Sequence, residues 1–250
     1  MAEIQQMPPL ELPVATMADW GQRWLGVDGG VPGEDNAPQK GAARFSKKQV
    51  MEFGRVFDFA FGKALAQMLG GIDVVRPPSN ALTPPQPDCV EVGTTRVIGG
   101  IRPQNYDAAY RPDGPRVVFD SKTLNDEASI RKNWQNMVND LASEAATVHI
   151  RFPFCIVAFI VAMPAVAFHA LSARQRRAIT TTLERLGSRK DELDQHHLAE
   201  AVALVIWDPH TGQLDGEMPS PKSVVSLGSM PDRIHASYAD RYQHLPPHTT

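Results

Sequence analysis

Cysteine is scarce in this chain, and its scarcity excludes two kinds of protein. Among 250 residues only Cys89 and Cys155 are cysteines, and they are not spaced as a Cys-x-x-Cys pair. A disulfide framework and a cysteine-ligated zinc site are therefore not expected. Both residues lie in apolar segments, which favours two buried free thiols in a reducing compartment. We accordingly expect a cytoplasmic protein.

The sequence also lacks a segment typical of secretion or membrane insertion. Residues 1–13 have neither the charged nor the apolar region of a signal peptide. The run 152–168 is the one candidate for a membrane span, but it is short and contains Pro153 and Pro164. Its middle is better interpreted as a buried strand. We expect a soluble protein without a membrane partner.

An excess of positive charge is missing as well. The formal net charge is −3, which argues against a non-specific coat on nucleic acid but allows a locally positive cleft around metal-binding carboxylates. No glycine-rich phosphate loop, Gly-x-Ser-x-Gly elbow or zinc pattern occurs. The adjacent His196 and His197 would point apart on a helix, and His149, His169 and His210 have no acid or cysteine at metal-ligand spacing.

The first half of the chain predicts a helix followed by an antiparallel sheet. Ser46 and Gln49 form a capping box, apolar residues recur at helical spacing to Met68, and Gly70-Gly71 ends the helix. A proline-rich loop covers residues 76–87. Three strands are predicted at residues 89–98, 101–110 and 117–122. Their short turns predict a three-stranded antiparallel meander.

The second half predicts alternating helices and strands. A helix capped at Asn125-Asp126 precedes an apolar strand at 154–163, which we expect to lie parallel to the preceding strand after a right-handed crossover. A capping box at Ser172 and Gln175 opens a helix to about residue 186. A short helix at 191–200, a strand at 201–207 and a polar, proline-punctuated surface extension follow. The predicted fold is α/β (α+β), with an N-terminal arm (1–45), a central domain (46–212) and a C-terminal extension (213–250) that packs on the core or extends from it.

One hairpin within this order carries candidate chemistry. Residues 106–122 read YDAAYRPDGPRVVFDSK, so that Asp107 lies on one arm and Asp120 and Lys122 end the other. Because side chains alternate along a strand, Asp120 and Lys122 project to the same face, which Val118 shares. Two carboxylates beside an ammonium suit a hard divalent cation next to a proton-handling lysine.

This constellation resembles the PD-(D/E)XK nucleases, which include most type II restriction endonucleases and many repair nucleases. Asp107 matches the first acid, Asp120 the second acid and Lys122 the lysine, although Asp107 follows Tyr106 where the pattern has proline. Pro112-Asp113 has that proline, but it lies inside the turn and too close to Asp120. The predicted element order is that of the family's common core.

The resemblance implies a Mg²⁺-dependent (or Mn²⁺-dependent) endonuclease that acts on double-stranded DNA as a homodimer and leaves 5′-phosphates. Asp107, Asp120 and the carbonyl of Ser121 would be the metal ligands. Lys122 would position or deprotonate the attacking water. The alternatives are a repair, recombination or structure-specific nuclease, and a binding protein that has the fold without the activity.

Several neighbouring residues allow two interpretations. The family often has an acid on its first core helix, for which Glu52 is the candidate, but Glu52 lies nearly opposite the apolar stripe and is better read as solvated. Arg131, Lys132 and Gln135 begin the helix after Lys122 and would contact phosphate or metal, or else form an ordinary exposed helix face. The hairpin itself has a simpler reading, as a surface turn with a charge pair at its edge.

Overall fold

The computed structural model describes residues 7–12, 47–208 and 213–247, with backbone alone for residues 47–53. None of the helices in these ranges is long and apolar enough to cross a membrane. The elements in chain order are α1 (Lys47–Met68), β1 (Asp73–Val75), β2 (Cys89–Ile98), β3 (Pro103–Tyr110), β4 (Val117–Thr123), α2 (Glu127–His149), β5 (Ile156–Pro164), α3 (Ala165–His169), α4 (Ala173–Leu186), β6 (Ala201–Trp207) and α5 (Met230–Tyr242), with a short 3₁₀ turn at Leu227–Ser229.

The strands form one mixed sheet of six in the order β1-β2-β3-β4-β5-β6. Strands β2, β3 and β4 are antiparallel neighbours, which confirms the predicted meander. Strand β5 lies parallel to β4, and β6 lies parallel to β5. The short β1 adds a parallel edge strand beside β2. The predicted α/β class with a mixed sheet between helices is therefore confirmed.

Two hydrophobic cores lie on opposite faces of the sheet. Alternate residues of the central strands divide between them, since Val117 and Phe119 join the core under α1 and α5, whereas Val118 joins the core under α2, α3 and α4. Strand β5 is buried along its whole length. This explains its apolar sequence without alternation, which is typical of a strand covered on both faces.

Local signals in the sequence place several helix ends correctly. Gly70 and Gly71 have φ of 98° and 80°, and the Gly71 N–H donates to the Ala66 carbonyl at 2.9 Å, as in a Schellman motif. Asp126 accepts from Ser129 N–H at 2.8 Å as the N-cap of α2. The Ser172 capping box is formed. The predicted box at Ser46 lies outside the described residues.

One prediction after α4 is wrong, and the sequence does not predict the last helix. Residues 191–200 form turns instead of a helix, because Asp191 and Asp194 accept hydrogen bonds from nearby backbone N–H groups, which compete with helical bonding. The polar C-terminal region contains α5, whose narrow stripe of buried residues recurs every four positions and packs on the core under α1. These residues are Met230, Ile234, Tyr238 and Tyr242.

Part of the predicted N-terminal arm packs on the domain. Leu10 and Leu12 are buried in the core that α1 and α5 cover. The arm's two tryptophans, Trp20 and Trp24, lie outside the described residues.

A buried ion pair ties the proline-rich loop to the sheet. Arg111 is 5% exposed and donates to the fully buried carboxylate of Glu91, with Nη2 at 2.8 Å from Oε1. Its Nη1 also donates to the Leu82 carbonyl at 2.8 Å. This arrangement orders the loop above β2.

We expect Arg111→Met to lower the free energy of unfolding by about 3–5 kcal/mol, because Glu91 would be left buried without its partner. Urea denaturation measures this change. The double variant Arg111→Met/Glu91→Gln serves as the control, since it removes both charges and should recover much of the loss. A single variant within about 1 kcal/mol of the wild type would contradict this account.

Candidate active site

The candidate site lies where the pairing of β3 with β4 stops. The last paired residues are Ala108 and Phe119, so Asp107 and Asp120 follow directly at the same register. Strand β2 carries a bulge at the same level, since Val92 pairs with Ala108 but Thr95 pairs with Tyr106. Two residues of β2 therefore oppose Asp107 alone. Such bulges are common next to active sites, where they redirect side chains.

The Asp107 carboxyl contacts Ser121 on the neighbouring strand β4. Its Oδ2 accepts a hydrogen bond from the Ser121 N–H at 2.9 Å, and it lies 3.3 Å from Ser121 Oγ. The side chain thus satisfies a backbone donor of β4 at the point where the strand pairing has ended. The carboxyl of Asp120, which follows the last paired residue of β4, is one of the groups that raise the pKa of Asp107. The structure therefore places the two predicted acids side by side on neighbouring strands.

Lys122 lies on the same side as Asp120, against α2. Its Nζ donates to Asp120 Oδ2 and to Glu144 Oε1, the latter at 3.2 Å. Glu144 is 5% exposed, and its Oε2 is buried without a hydrogen-bond partner. The Tyr106 hydroxyl donates to the Glu144 carbonyl at 2.8 Å, which ties α2 to β3 at this level. The lysine is held between two carboxylates.

A fourth carboxylate reaches the cluster from the opposite face. Asp58 on α1 accepts a hydrogen bond from Ser121 Oγ at 2.8 Å and is 8% exposed. The helix approaches closely here, because a Cβ at Gly54 would lie 3.4 Å from Ser121 Oγ. Ser121 therefore joins Asp58 on one side to Asp107 on the other.

Burial and mutual repulsion change the protonation of these groups. Burial, together with the charge of Asp107, raises the pKa of Asp58 to about 8. Burial and the neighbouring Asp120 raise the pKa of Asp107 to about 8. Burial raises the pKa of Asp120 to about 6, although Asp107 and Lys122 act in the opposite direction. These raised pKa values show that the positive charge near the carboxyl groups does not compensate for their burial and mutual repulsion.

Lys122, in contrast to these acids, is stabilised in its charged form. Burial lowers its pKa, but the charges of Asp120 and Glu144 outweigh burial and raise the pKa well above its usual value. The side chain is an ammonium in this arrangement. It therefore provides a fixed positive charge at the site.

Other candidates from the sequence do not join the cluster. Gln135, Arg131 and Lys132 are exposed on α2, and Arg131 pairs with Glu127 at 2.6 Å. Asp113 is an exposed turn residue whose carboxylate pairs with Arg116 at 2.6 Å. It is thus separate from the site, as the sequence predicts. The side chain of Glu52 lies outside the described residues.

Sequence reasoning missed Asp58 and Glu144, although both had a signal. Gly54, Asp58 and Gly62 recur every four residues on α1, and a Cβ at Gly62 would lie 2.1 Å from Val92. A row of small residues marks the face that approaches a sheet closely, so the acid within it faces inward. Glu144 similarly interrupts the apolar stripe of α2, one turn after Leu141. A charged residue inside an apolar stripe indicates a buried partner.

The histidines remain apart from the site. His149 is buried, with its two ring nitrogens 2.9 and 3.0 Å from the carbonyls of His196 and Cys155. His169 lies 2.8 Å from Asp215, and His210 is outside the described residues. Across the ranges that the structure describes, no three His, Cys, Asp or Glu side chains are already arranged around a single metal position. The metal site that the resemblance implies has only two carboxylate ligands, Asp107 and Asp120, together with a backbone carbonyl. It therefore does not require a cluster of three such side chains.

The donors of the cluster suit a hard cation. All are oxygen atoms, as Mg²⁺ and Mn²⁺ prefer, and the Glu144 Oε2 atom lacks a donor. Burial and neighbouring carboxylates raise the pKa values of Asp58 and Asp107, so a divalent charge close to them would be favourable. Comparison with known proteins adds no relative: no family model, curated protein or solved structure matches this chain.

Proposed function

We propose that this protein is a Mg²⁺-dependent endonuclease that hydrolyses phosphodiester bonds in DNA. The observation that carries the proposal is the placement of Asp107 and Asp120 side by side at the end of the β3–β4 pairing, with Lys122 bound to Asp120. The same three residues match the PD-(D/E)XK pattern. A bare charge pair at a surface hairpin would not explain four convergent carboxylates, three of them nearly buried.

Asp107 and Asp120 would hold the cation together with the carbonyl of Ser121. When bound, Mg²⁺ supplies Lewis acidity and lowers the pKa of a coordinated water. Ser121 has a second role, because its backbone N–H and hydroxyl fix the orientation of Asp107. Asp58 is the acid on the first core helix that best fits the family's additional carboxylate, in place of Glu52. Its carboxyl is linked to Asp107 through the Ser121 hydroxyl.

Lys122 would act on the attacking water and on the phosphate. Its ammonium is directed by Asp120 and Glu144, so its position is fixed before substrate binds. A preorganised positive charge stabilises the negative charge that builds up on the phosphate oxygens. Because Asp120 and Glu144 raise its pKa well above the usual value, the ammonium would position the attacking water by donating a hydrogen bond to it and would not accept its proton.

The narrower proposal, which follows from the resemblance, is sequence-specific cleavage of double-stranded DNA by a cytoplasmic homodimer of the type II restriction kind. A two-fold dimer suits palindromic sites because each chain then cuts one strand of a symmetric target. The alternative within the same chemistry is a repair, recombination or structure-specific nuclease.

Incubating the pure full-length chain with mixed plasmid DNA, and separately with branched and flapped substrates, tests the proposal. Each incubation is run in Mg²⁺, in Mn²⁺ and in EDTA. Discrete metal-dependent bands from plasmids support the restriction-like form, and selective cleavage of branched substrates supports the structure-specific form. Absence of metal-dependent cleavage on every substrate would leave a nuclease-like fold that binds without catalysis and would reject the proposal.

A further inference from the structure

A β-bulge divides the β2–β3 hairpin at the level of the candidate site. Two residues of β2, Gly93 and Thr94, lie there opposite the single residue Asp107 of β3. A bulge of this kind bends its strand and increases the local twist. The hairpin therefore changes direction at Asp107.

The two halves of the hairpin contact different parts of the molecule. The half next to the β3–β4 turn pairs with β4 through residues 108–110 of β3. The other half leaves β4 and lies against α2, where the Tyr106 hydroxyl donates to the Glu144 carbonyl at 2.8 Å. At the far end of that half, the Gly100 N–H donates to the Thr147 carbonyl at 2.7 Å. The bulge marks the boundary between the two halves.

The departure of β3 makes a backbone donor of β4 accessible to the side chain of Asp107. If the ladder of β3 with β4 continued at the same register, Ser121 would lie opposite Tyr106. The Ser121 N–H donates instead to Asp107 Oδ2 at 2.9 Å. The Asp107 carboxylate thus takes the place of a backbone acceptor, and this bond fixes its direction on the strand next to Asp120.

Gly93 has the backbone conformation on which the bulge depends. Its φ is 122°, in a region that residues with a side chain rarely adopt. The Thr95 hydroxyl donates to the Gly93 carbonyl at 3.2 Å, which holds the bulge in place. A Cβ at position 93 would have ordinary space, since its nearest contact would be Pro77 Cδ at 3.5 Å. The requirement for glycine is therefore conformational and not steric.

We propose that Gly93 is a positioning residue for the candidate metal site, because the bulge that it permits turns Asp107 out of the strand pairing and toward Ser121. This inference rests on the proposed function and deepens it, since it assigns the direction of a metal ligand to a residue on another strand. Gly93 itself contacts neither the cation nor the substrate. It acts through the direction of the Asp107 carboxylate.

Calorimetric titration of Mn²⁺ into the full-length protein at pH 8 tests the inference. Gly93→Ala places a side chain at an unfavourable φ and should lower the Mn²⁺ affinity about 10-fold to 100-fold, the range for loss of a group that orients a metal ligand. Thr95→Val removes the hydrogen bond to the Gly93 carbonyl. It should cause a smaller loss of affinity, about twofold to tenfold.

A matched control separates positioning from loss of stability. Gly114, in the turn before β4, has φ of 136°, and a Cβ there would also have ordinary space, with Phe152 Cε1 at 3.6 Å. Gly114→Ala therefore introduces comparable backbone strain away from the site, which lies at the end of β4. Without metal, both alanine variants should melt about 2–10 °C below the wild type. Only Gly93→Ala should lose Mn²⁺ affinity.

The crystal structure of metal-free Gly93→Ala provides a second readout. We expect Asp107 Oδ2 to lie beyond hydrogen-bond distance of the Ser121 nitrogen, whereas Gly114→Ala should keep the wild-type distance of 2.9 Å. The inference is overturned if Gly93→Ala retains this bond, or if its Mn²⁺ affinity is within twofold of that of Gly114→Ala. If Gly93→Ala does not fold, Thr95→Val is compared with the wild type by the same two criteria.

Failure of the inference differs from failure of the proposed function. If the wild type binds Mn²⁺ and Gly93→Ala binds it equally well, the site does not depend on the bulge and the nuclease proposal stands. If the wild type binds no Mn²⁺ but Gly93→Ala loses the bond between Asp107 and Ser121, the positioning role stands and the metal-dependent function fails.

Discussion

Replacing Lys122 with methionine is expected to reduce DNA cleavage by about a hundredfold to ten-thousandfold, which is the range for loss of a group that moves a proton or stabilises charge in the transition state. Asp120→Asn should reduce cleavage at least as much, because it removes both a proposed metal ligand and the partner of Lys122. Initial rates on a fixed DNA substrate in Mg²⁺ provide the measurement.

Loss of folding must be separated from loss of chemistry in this experiment. Lys122→Met alone leaves Asp120 and Glu144 near each other without their cation, so its stability will fall. The double variant Lys122→Met/Glu144→Gln removes one charge of each sign and should restore the melting temperature without restoring cleavage. Lys190→Met, at an exposed lysine, should cut at the wild-type rate. Cleavage by the folded double variant at the wild-type rate would remove Lys122 from the mechanism.

Asp58→Asn is expected to stabilise the metal-free protein at pH 8 by about 1–3 kcal/mol, about 3–10 °C in melting temperature. The pKa of Asp58 and that of Asp107 are raised to about 8 in the folded chain. The folded state therefore binds more protons than the unfolded state between about pH 4 and pH 8. Stability without metal falls as the pH rises through this window. Asp58→Asn removes part of that loss and should have little effect at pH 4.

Divalent cations should reverse this dependence. Mg²⁺ binding displaces protons from the carboxyls, so its stabilising effect should increase from pH 6 to pH 8. Thermal melts with and without Mg²⁺ at pH 4, 6 and 8 measure both effects. Asp140→Asn, at an exposed position on α2, is the matched control and should behave like the wild type at every pH. A lower melting temperature for Asp58→Asn at pH 8 without metal would contradict the assigned repulsion.

The sequence predicts most of the fold because strong local patterns agree with the tertiary structure. The meander follows from its turns, and β5 follows from an apolar run that is covered on both faces. Sequence patterns do not predict an element whose formation depends mainly on tertiary contacts. Helix α5 has a stripe only one residue wide, which includes Tyr238 and Tyr242. Its polar composition therefore resembles that of a surface segment.

The residues of the site also divide into those that the sequence predicts and those that it does not. Asp107, Asp120 and Lys122 lie on one hairpin, so strand alternation alone predicts which of them share a face. Asp58 and Glu144 arrive from helices on opposite faces of the sheet. Their approach to the site depends on how closely α1 and α2 pack on the sheet. The residue pattern of a single strand gives no information about that packing. Both acids occupy positions that apolar or small residues surround, and this is the signal that a sequence search for buried charge would use.

Calorimetric titration of the full-length protein with Mn²⁺ at pH 8 tests the central claim most directly, since the claim is that Asp107 and Asp120 together hold a divalent cation. We expect saturable binding to the wild type and to Asp140→Asn, and loss of that binding in the folded variants Asp107→Asn and Asp120→Asn. Equal binding to all four proteins, or no binding to the wild type, would contradict the account.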